Sequence, residues 1–338
     1  MHYLVTGHTG FKGAWLTRLL EVRGHQVSGL SLDPEPGALY DLAGNSEQLV
    51  YDLRVDIRDK DATIAALQKV APDVVIHLAA QALVRRSYAD PRETIETNVL
   101  GTMNVLEAVA RQPSVRAHVV ATTDKVYRNV EQEAGYVETD PLGGSDPYSA
   151  SKAMADLLTQ SWVASFPGTP TGIVRAGNVI GGGDVSADRL LPDLINAFFA
   201  GRAPELRYPG SVRPWQHVLD CLNGYLTLAD ALVGGRSVSG AWNFGPGRES
   251  FVDVGTVASL VSQLAGTDLG WIRSEGEHPH EAGLLSLNAE KAESELGWSN
   301  RLGFEQAVAW TVDWARAAQR GEAARDATIR QITEFERL

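Results

Sequence analysis

Short apolar runs alternate with stretches of helical spacing through the first half of the chain. Tyr3-Leu4-Val5 runs into Gly7-His8-Thr9-Gly10-Phe11-Lys12-Gly13, and Trp15, Leu16, Leu19 and Leu20 follow three and four apart. That order predicts a strand, a tight glycine turn and an amphipathic helix. The alternation continues with strands over 27–32 and 48–55, a helix over 62–70, a strand over 74–78, a helix over 93–110 and a strand over 118–123. Strands apolar throughout and separated by helices predict an α/β protein with a parallel sheet covered on both faces, its ligands bound at the carboxyl ends of the strands.

Met154, Leu157, Leu158 and Trp162 mark a helix opening near Pro147, which puts Tyr148 and Lys152 one turn apart on one face. After a strand over 171–175 the strict alternation breaks at Asn178 and Gly181-Gly182-Gly183, glycines that also suit a plain loop. A helix over 218–232 and a strand over 241–244 return to the first lobe. The fold expected is therefore a Rossmann-type doubly wound sheet over 1–177, rejoined by 214–250, with a smaller, interleaved C-terminal domain made mainly of 178–338. Within the latter, 252–265 and 290–296 read as helices. Residues 316–338, charge-rich with few apolar anchors, read as a solvated helix or a segment ordered only in an assembly.

The glycine turn is where chemistry first becomes legible. Glycines there permit a sharp reversal and let backbone N–H groups approach a pyrophosphate at the positive end of the helix. Asp33 stands twenty residues beyond Gly13 at the end of the second strand, where a carboxylate holds ribose hydroxyls and disfavours a 2'-phosphate; an aspartate before Pro34 also suits a loop. Asp56, Ile57, Leu78, Ala79, Ala80 and Thr122 fall at other strand ends and would line the same cleft. Thr123-Asp124-Lys125 follows the fifth strand and should point toward Tyr148, although three polar residues at a strand end also make an ordinary turn. A tyrosine ionises near pH ~10 and works as a base at neutrality only beside a cation, which Lys152 can be.

Composition narrows the partners. With 338 residues and 44% hydrophobic content the chain can fill a large core, and its net charge of -12 gives no general basic field for nucleic acid or an acidic membrane. An acidic protein must concentrate arginines where it binds anions; Arg213 is the foremost such candidate, a surface salt bridge being the alternative. The single cysteine, Cys221, allows no internal disulfide and reads as core packing. No apolar run approaches the ~18 residues of a membrane span and the first residues enter a strand directly, so a cytoplasmic protein is expected. His278, His280 and Glu281 suggest a metal at first sight, but nothing else completes a coordination set, and no metal is expected.

GHTGFKG at 7, HLAAQALVRRSY at 77, TNVLGT at 97, TTDK at 122, DPYSASK at 146, RAGNVIGGGD at 175 and RPWQHV at 213 together resemble the extended short-chain dehydrogenase/reductase family as far as about residue 245. Its epimerases typically lack the acid after the fifth strand, whereas its sugar-nucleotide dehydratases carry Thr-Asp-Glu or a relative. Thr-Asp-Lys looks like the mark of the branch that acts on CDP-glucose. The resemblance implies a 4,6-dehydration in which a hydride passes from glucose C4 to NAD and later returns to C6. It assigns Tyr148 as base at the C4 hydroxyl, Lys152 as the cation beside it, Thr123 as hydrogen-bond partner and Asp124 as acid at C6. Lys125 falls to C5, as a base or as a cation stabilising the enolate. An ionised Asp124 beside it would raise the lysine's pKa and weigh against the base.

The resemblance also implies cofactor contacts from Gly7, Thr9, Gly10, Phe11, Gly13, Asp33, Asp56, Ile57, Leu78, Ala79, Ala80, Asn98, Thr122, Tyr148 and Lys152. Substrate contacts are implied from Gln81, Ser87, Asn178, Arg189, Arg213, His280 and Glu281. His217 is expected to be structural. A homodimer built on the helices beginning near Glu93 and Tyr148 is implied as well. The competing readings are a dehydratase of GDP-mannose or dTDP-glucose, a 4-epimerase, and a non-catalytic NAD-binding protein on the same fold.

Overall fold

The computed structural model describes residues 1–275 and 283–338, so His278, His280 and Glu281 lie outside the described residues. Twelve strands are present among them: β1 (His2–Thr6), β2 (Gln26–Ser31), β3 (Asp52–Arg54), β4 (Val74–His77), β5 (Ala117–Ala121), β6 (Thr171–Ala176), β7 (Asn178–Ile180), β8 (Glu205–Leu206), β9 (Val212–His217), β10 (Gly240–Phe244), β11 (Phe251–Asp253) and β12 (Ile272–Arg273). Seven of them form one sheet in the order β10-β6-β5-β4-β1-β2-β3, every pairing parallel. The strand order reverses at β1, and the crevice outside the carboxyl ends of β1 and β4 is where such sheets bind ligands. β10 reaches the sheet's edge beside β6 from far along the chain, as its apolar pattern predicts.

Alternate residues of each strand divide between two cores. Tyr3, Val5, Ile76, Val119 and Val174 face the helices Phe11–Val22 and Val218–Val233, where Cys221 is fully buried. Leu4, Leu30 and Val75 face Lys60–Val70 and Thr102–Ala110. A smaller unit holds the sheet β11-β9-β7 and the pair β12-β8, with its own core around Leu194, Phe198, Trp215, Val257 and Val308. Among the described residues no helix is long and apolar enough to cross a membrane.

Three expectations need correction. The strand predicted over 48–55 shrinks to β3, because Asn45 is buried and ties a short helical turn, Asn45–Gln48, to the first helix through Ala14 O and Thr17 Oγ1, both at 2.8 Å. The helix predicted from Val252 starts at Val254, capped by Asp253 after the short strand β11. The tail is not a solvated helix: Ala324–Phe335 buries Ala324, Ala327, Ile332 and Phe335 on one face and packs across the first helix. Its buried apolar residues are few but fall three and five apart, one stripe under a charged surface. The 93–110 segment is helical, with a π-turn over Glu96–Gly101.

Candidate active site

The glycine turn fits a dinucleotide by shape. Gly7 has φ +72°, and a Cβ on it would lie 2.7 Å from Ala79 N; one on Gly13 would lie 2.2 Å from Gly7 O. These contacts seat the turn against the end of β4 and the first helix against the turn. Gly10 precedes that helix with no side-chain cap, which leaves N–H groups of its first turn for an anion. Phe11 lies against Gly181. The Thr9 hydroxyl, 2.8 Å from Ser31 Oγ, donates to Leu32 O (3.1 Å) and fixes the end of β2, beyond which Asp33 is exposed. Leu78 and Ala79 donate to Thr6 Oγ1, and Ala80 follows half-buried. Asp56 is paired with Arg58 at 2.6 Å, whose hydrogen bonds hold its carboxyl below the usual range, and Ile57 is packed under Gly101.

On the catalytic side, Pro147–Ser165 opens on Asp146, whose carboxylate accepts from Ser149 N at 2.9 Å, with Pro147 in the first turn. Ser87 accepts from Tyr148 N (3.1 Å), and Asn98, carried by the π-turn, donates to Gln81 O and Ser151 Oγ. Tyr148 and Lys152 are both buried. The Lys152 ammonium donates to Ala121 O at 2.9 Å; burial lowers its pKa to about 8, nearby Lys12 adds to the depression and Asp156 opposes it. Burial raises the phenol of Tyr148, while the charge of Arg189 and a hydrogen bond with Thr123 pull it back down.

Thr123 and Asp124, just past β5, act on the same phenol, and Lys125 lies beside Asp124. The Thr123 hydroxyl donates to Asp124 Oδ1 at 2.9 Å. Asp124 is 2% exposed, packed near Gly177 and Pro214; burial raises its pKa against the opposing pull of Lys125, Thr123 and Arg213. The Thr122 hydroxyl donates to Asp156 Oδ2 at 3.0 Å.

Of the residues expected to touch substrate, Arg189 and Arg213 bring charge to Tyr148 and Asp124, and Arg213 also donates to Val212 O. Asn178 begins β7, half-buried. Gln81 bonds to Thr94 Oγ1 and Leu83 N, and Ser87 to Val84 O and Tyr148 N, so both brace the frame of the site. His217 is buried, its pKa pushed down to about 3, and caps the next helix. Reading the sequence missed Lys12, which donates to the Tyr225 hydroxyl at 3.2 Å, and Asp156, gripped by Arg175 through two 2.8 Å bonds with neither side chain exposed. The signals were present: Lys12 lies in the glycine turn and Asp156 one turn beyond Lys152 on the same helix.

A glycine turn built for a dinucleotide and a Tyr-Lys pair facing Thr-Asp-Lys define a nucleotide-dependent oxidoreductase-type site. The chain belongs to the NAD dependent epimerase/dehydratase family, whose model matches residues 3–245. It is 40% identical to the CDP-glucose 4,6-dehydratase of Salmonella typhimurium over 98% of this chain and 95% of that protein. It is 33% identical to the dTDP-glucose 4,6-dehydratase of Mycolicibacterium smegmatis, over 94% of each. Among solved structures it superposes with a TM-score of 0.81 on the dTDP-glucose 4,6-dehydratase of Streptomyces venezuelae with NAD and TYD bound, at 28% identity over 95% of this chain and 98% of that one.

Proposed function

We propose that this protein converts CDP-glucose to CDP-4-keto-6-deoxyglucose, using NAD held by residues 1–177 and 214–250 and sugar nucleotide held mainly by 178–338. The observation that carries the reading is the juxtaposition of Tyr148 with Thr123 and a buried Asp124 whose carboxyl is biased toward its neutral form. Bound NAD supplies the acceptor and the later donor of one hydride. Tyr148 takes the proton of the C4 hydroxyl, Thr123 hydrogen-bonds that hydroxyl, and the cations Lys152 and Arg189 favour the phenolate. A ketone at C4 acidifies the C5 proton. Asp124, carrying a proton, gives it to the departing C6 hydroxyl, so that water is lost. Lys125 serves C5, abstracting its proton as an amine or steadying the enolate as a cation; a neutral Asp124 lifts the electrostatic objection to the amine.

The relatives' activities favour CDP-glucose over a dTDP sugar, the Salmonella protein sharing more identity than the Mycolicibacterium one. The purified protein, supplied with NAD and in turn with CDP-glucose, dTDP-glucose and GDP-mannose, should form the 4-keto-6-deoxy product from CDP-glucose; preference for either of the others overturns the assignment. We further propose a cytoplasmic homodimer. Leu100 and Met103 on one helical segment and Met154 and Leu157 on the Pro147–Ser165 helix are exposed apolar residues on the two elements that would pair. Sedimentation should give a dimer for the native chain and a monomer for Leu157→Glu, whereas a native monomer would refute the pairing.

A further inference from the structure

Arg85 and Asp188 meet between the two parts of the molecule, and their contact completes a ring of ties that begins and ends at Tyr148. Arg85 lies on the short helix Val84–Ala89 that follows β4. That helix is already fastened to the phenol's own helix, since Ser87 accepts from Tyr148 N at 3.1 Å. Arg85 Nη1 reaches Asp188 Oδ1 at 3.0 Å, in the loop that runs from β7 to the helix Leu190–Phe199 of the smaller unit. The next residue, Arg189, ends that loop and brings its charge back to Tyr148.

The loop needs such a tie. Asp188 has φ +58°, a backbone conformation that few residues other than glycine adopt. Burial raises the pKa of Asp193, and the charges of Asp188 and Asp184 raise it further, so three carboxylates crowd one another at this turn. Arg85 supplies a cation to hold one of them from the other part of the molecule. The two side chains are 55% and 42% exposed, and an ion pair so open to water contributes little. A weak tie orders the loop without sealing it, as a pocket that admits and releases a sugar nucleotide requires.

Resting on the reading of Arg189 as the cation beside the catalytic phenol, we infer that Arg85 is a positioning residue: it holds Asp188 and so keeps Arg189 beside Tyr148 and the sugar-nucleotide pocket. Lys152 and Arg189 are the cations near Tyr148, and Asp124 and Asp146 the acids. Once Asp188 is released, Arg189 is free to move off, and the balance around the phenol shifts against its ionised form.

The test is steady-state kinetics of the purified full chain with NAD and CDP-glucose across pH. Arg85→Gln and Asp188→Asn each remove one charge, and asparagine is at home at a positive φ, so the loop's backbone is kept. Each should lower kcat/KM for CDP-glucose about threefold or more, chiefly through KM, and move the acid limb of its pH profile upward. Arg85→Lys, which keeps the charge, should stay closer to the native value, and the double variant should be no worse than the poorer single one. A native KM with an unshifted limb in both single variants, or losses that add in the double variant, overturns the role of Arg85. A native chain that forms no product from CDP-glucose would instead overturn the reading of the site on which this role rests.

Discussion

Asp124 and Lys125 are neighbours in sequence with different surroundings. Asp124 is buried close to Gly177, and losing water there disfavours its charge; Lys125 remains half-buried. A raised carboxyl pKa supports the proposed role of Asp124 as acid at the leaving hydroxyl, and Lys125 beside it is the group proposed to serve C5. Replacing Lys125 by alanine should therefore slow elimination by about a hundredfold or more while oxidation at C4 is largely spared. In single turnovers the variant should accumulate NADH absorbance without releasing 4-keto-6-deoxy product; unchanged turnover would remove Lys125 from the chemistry. Residues of this kind were legible because they sit at strand ends in the first half. The frame contacts of Gln81 and Ser87 were not legible: a polar side chain near a cleft looks the same in sequence whether or not it also holds a backbone amide.

Between elements, the Asp156–Arg175 pair does what neither residue's local sequence announces. Asp156 on the Pro147–Ser165 helix accepts from Arg175 on β6 and from Thr122 beyond β5, and Arg175 also donates to the Tyr127 hydroxyl just past the Thr-Asp-Lys turn. The helix bearing the phenol and the turn bearing the acid are thus anchored at one buried carboxylate. The C-terminal helix is the other element whose placement composition concealed. Four of the twelve residues of Ala324–Phe335 are charged, yet Ile332 and Phe335 are fully buried beside the first helix, and Arg301 lies over the Phe335 ring at 4.8 Å. Phe335→Ala should cost about 3–5 kcal/mol, the range for a buried aromatic deleted from a packed core. Urea unfolding checks it: a cost within about 0.5 kcal/mol of zero would return the tail to the solvated helix its composition suggests.

For the molecule as a whole, the large sheet could be read from hydrophobic pattern because each parallel strand is apolar along its length and each crossover helix has a buried stripe. The strands β7, β8, β11 and β12 span two or three residues each and leave no periodicity to detect, so the smaller unit was legible only as a break in alternation. The proposed site draws on distant parts: the turn after β5 carries Asp124 and Lys125, the Pro147–Ser165 helix Tyr148 and Lys152, and β9 and the segment before Leu190 Arg213 and Arg189. The central claim is that these parts serve one sugar, with the hydride removed at C4 returned within the same molecule. The most direct measurement follows deuterium placed at C4 of CDP-glucose, with NAD supplied and the product examined by NMR. The account predicts a 4-keto-6-deoxy product carrying the deuterium in its C6 methyl group. An epimerised sugar that keeps the deuterium at C4, or a 4-keto-6-deoxy product with none at C6, would contradict it.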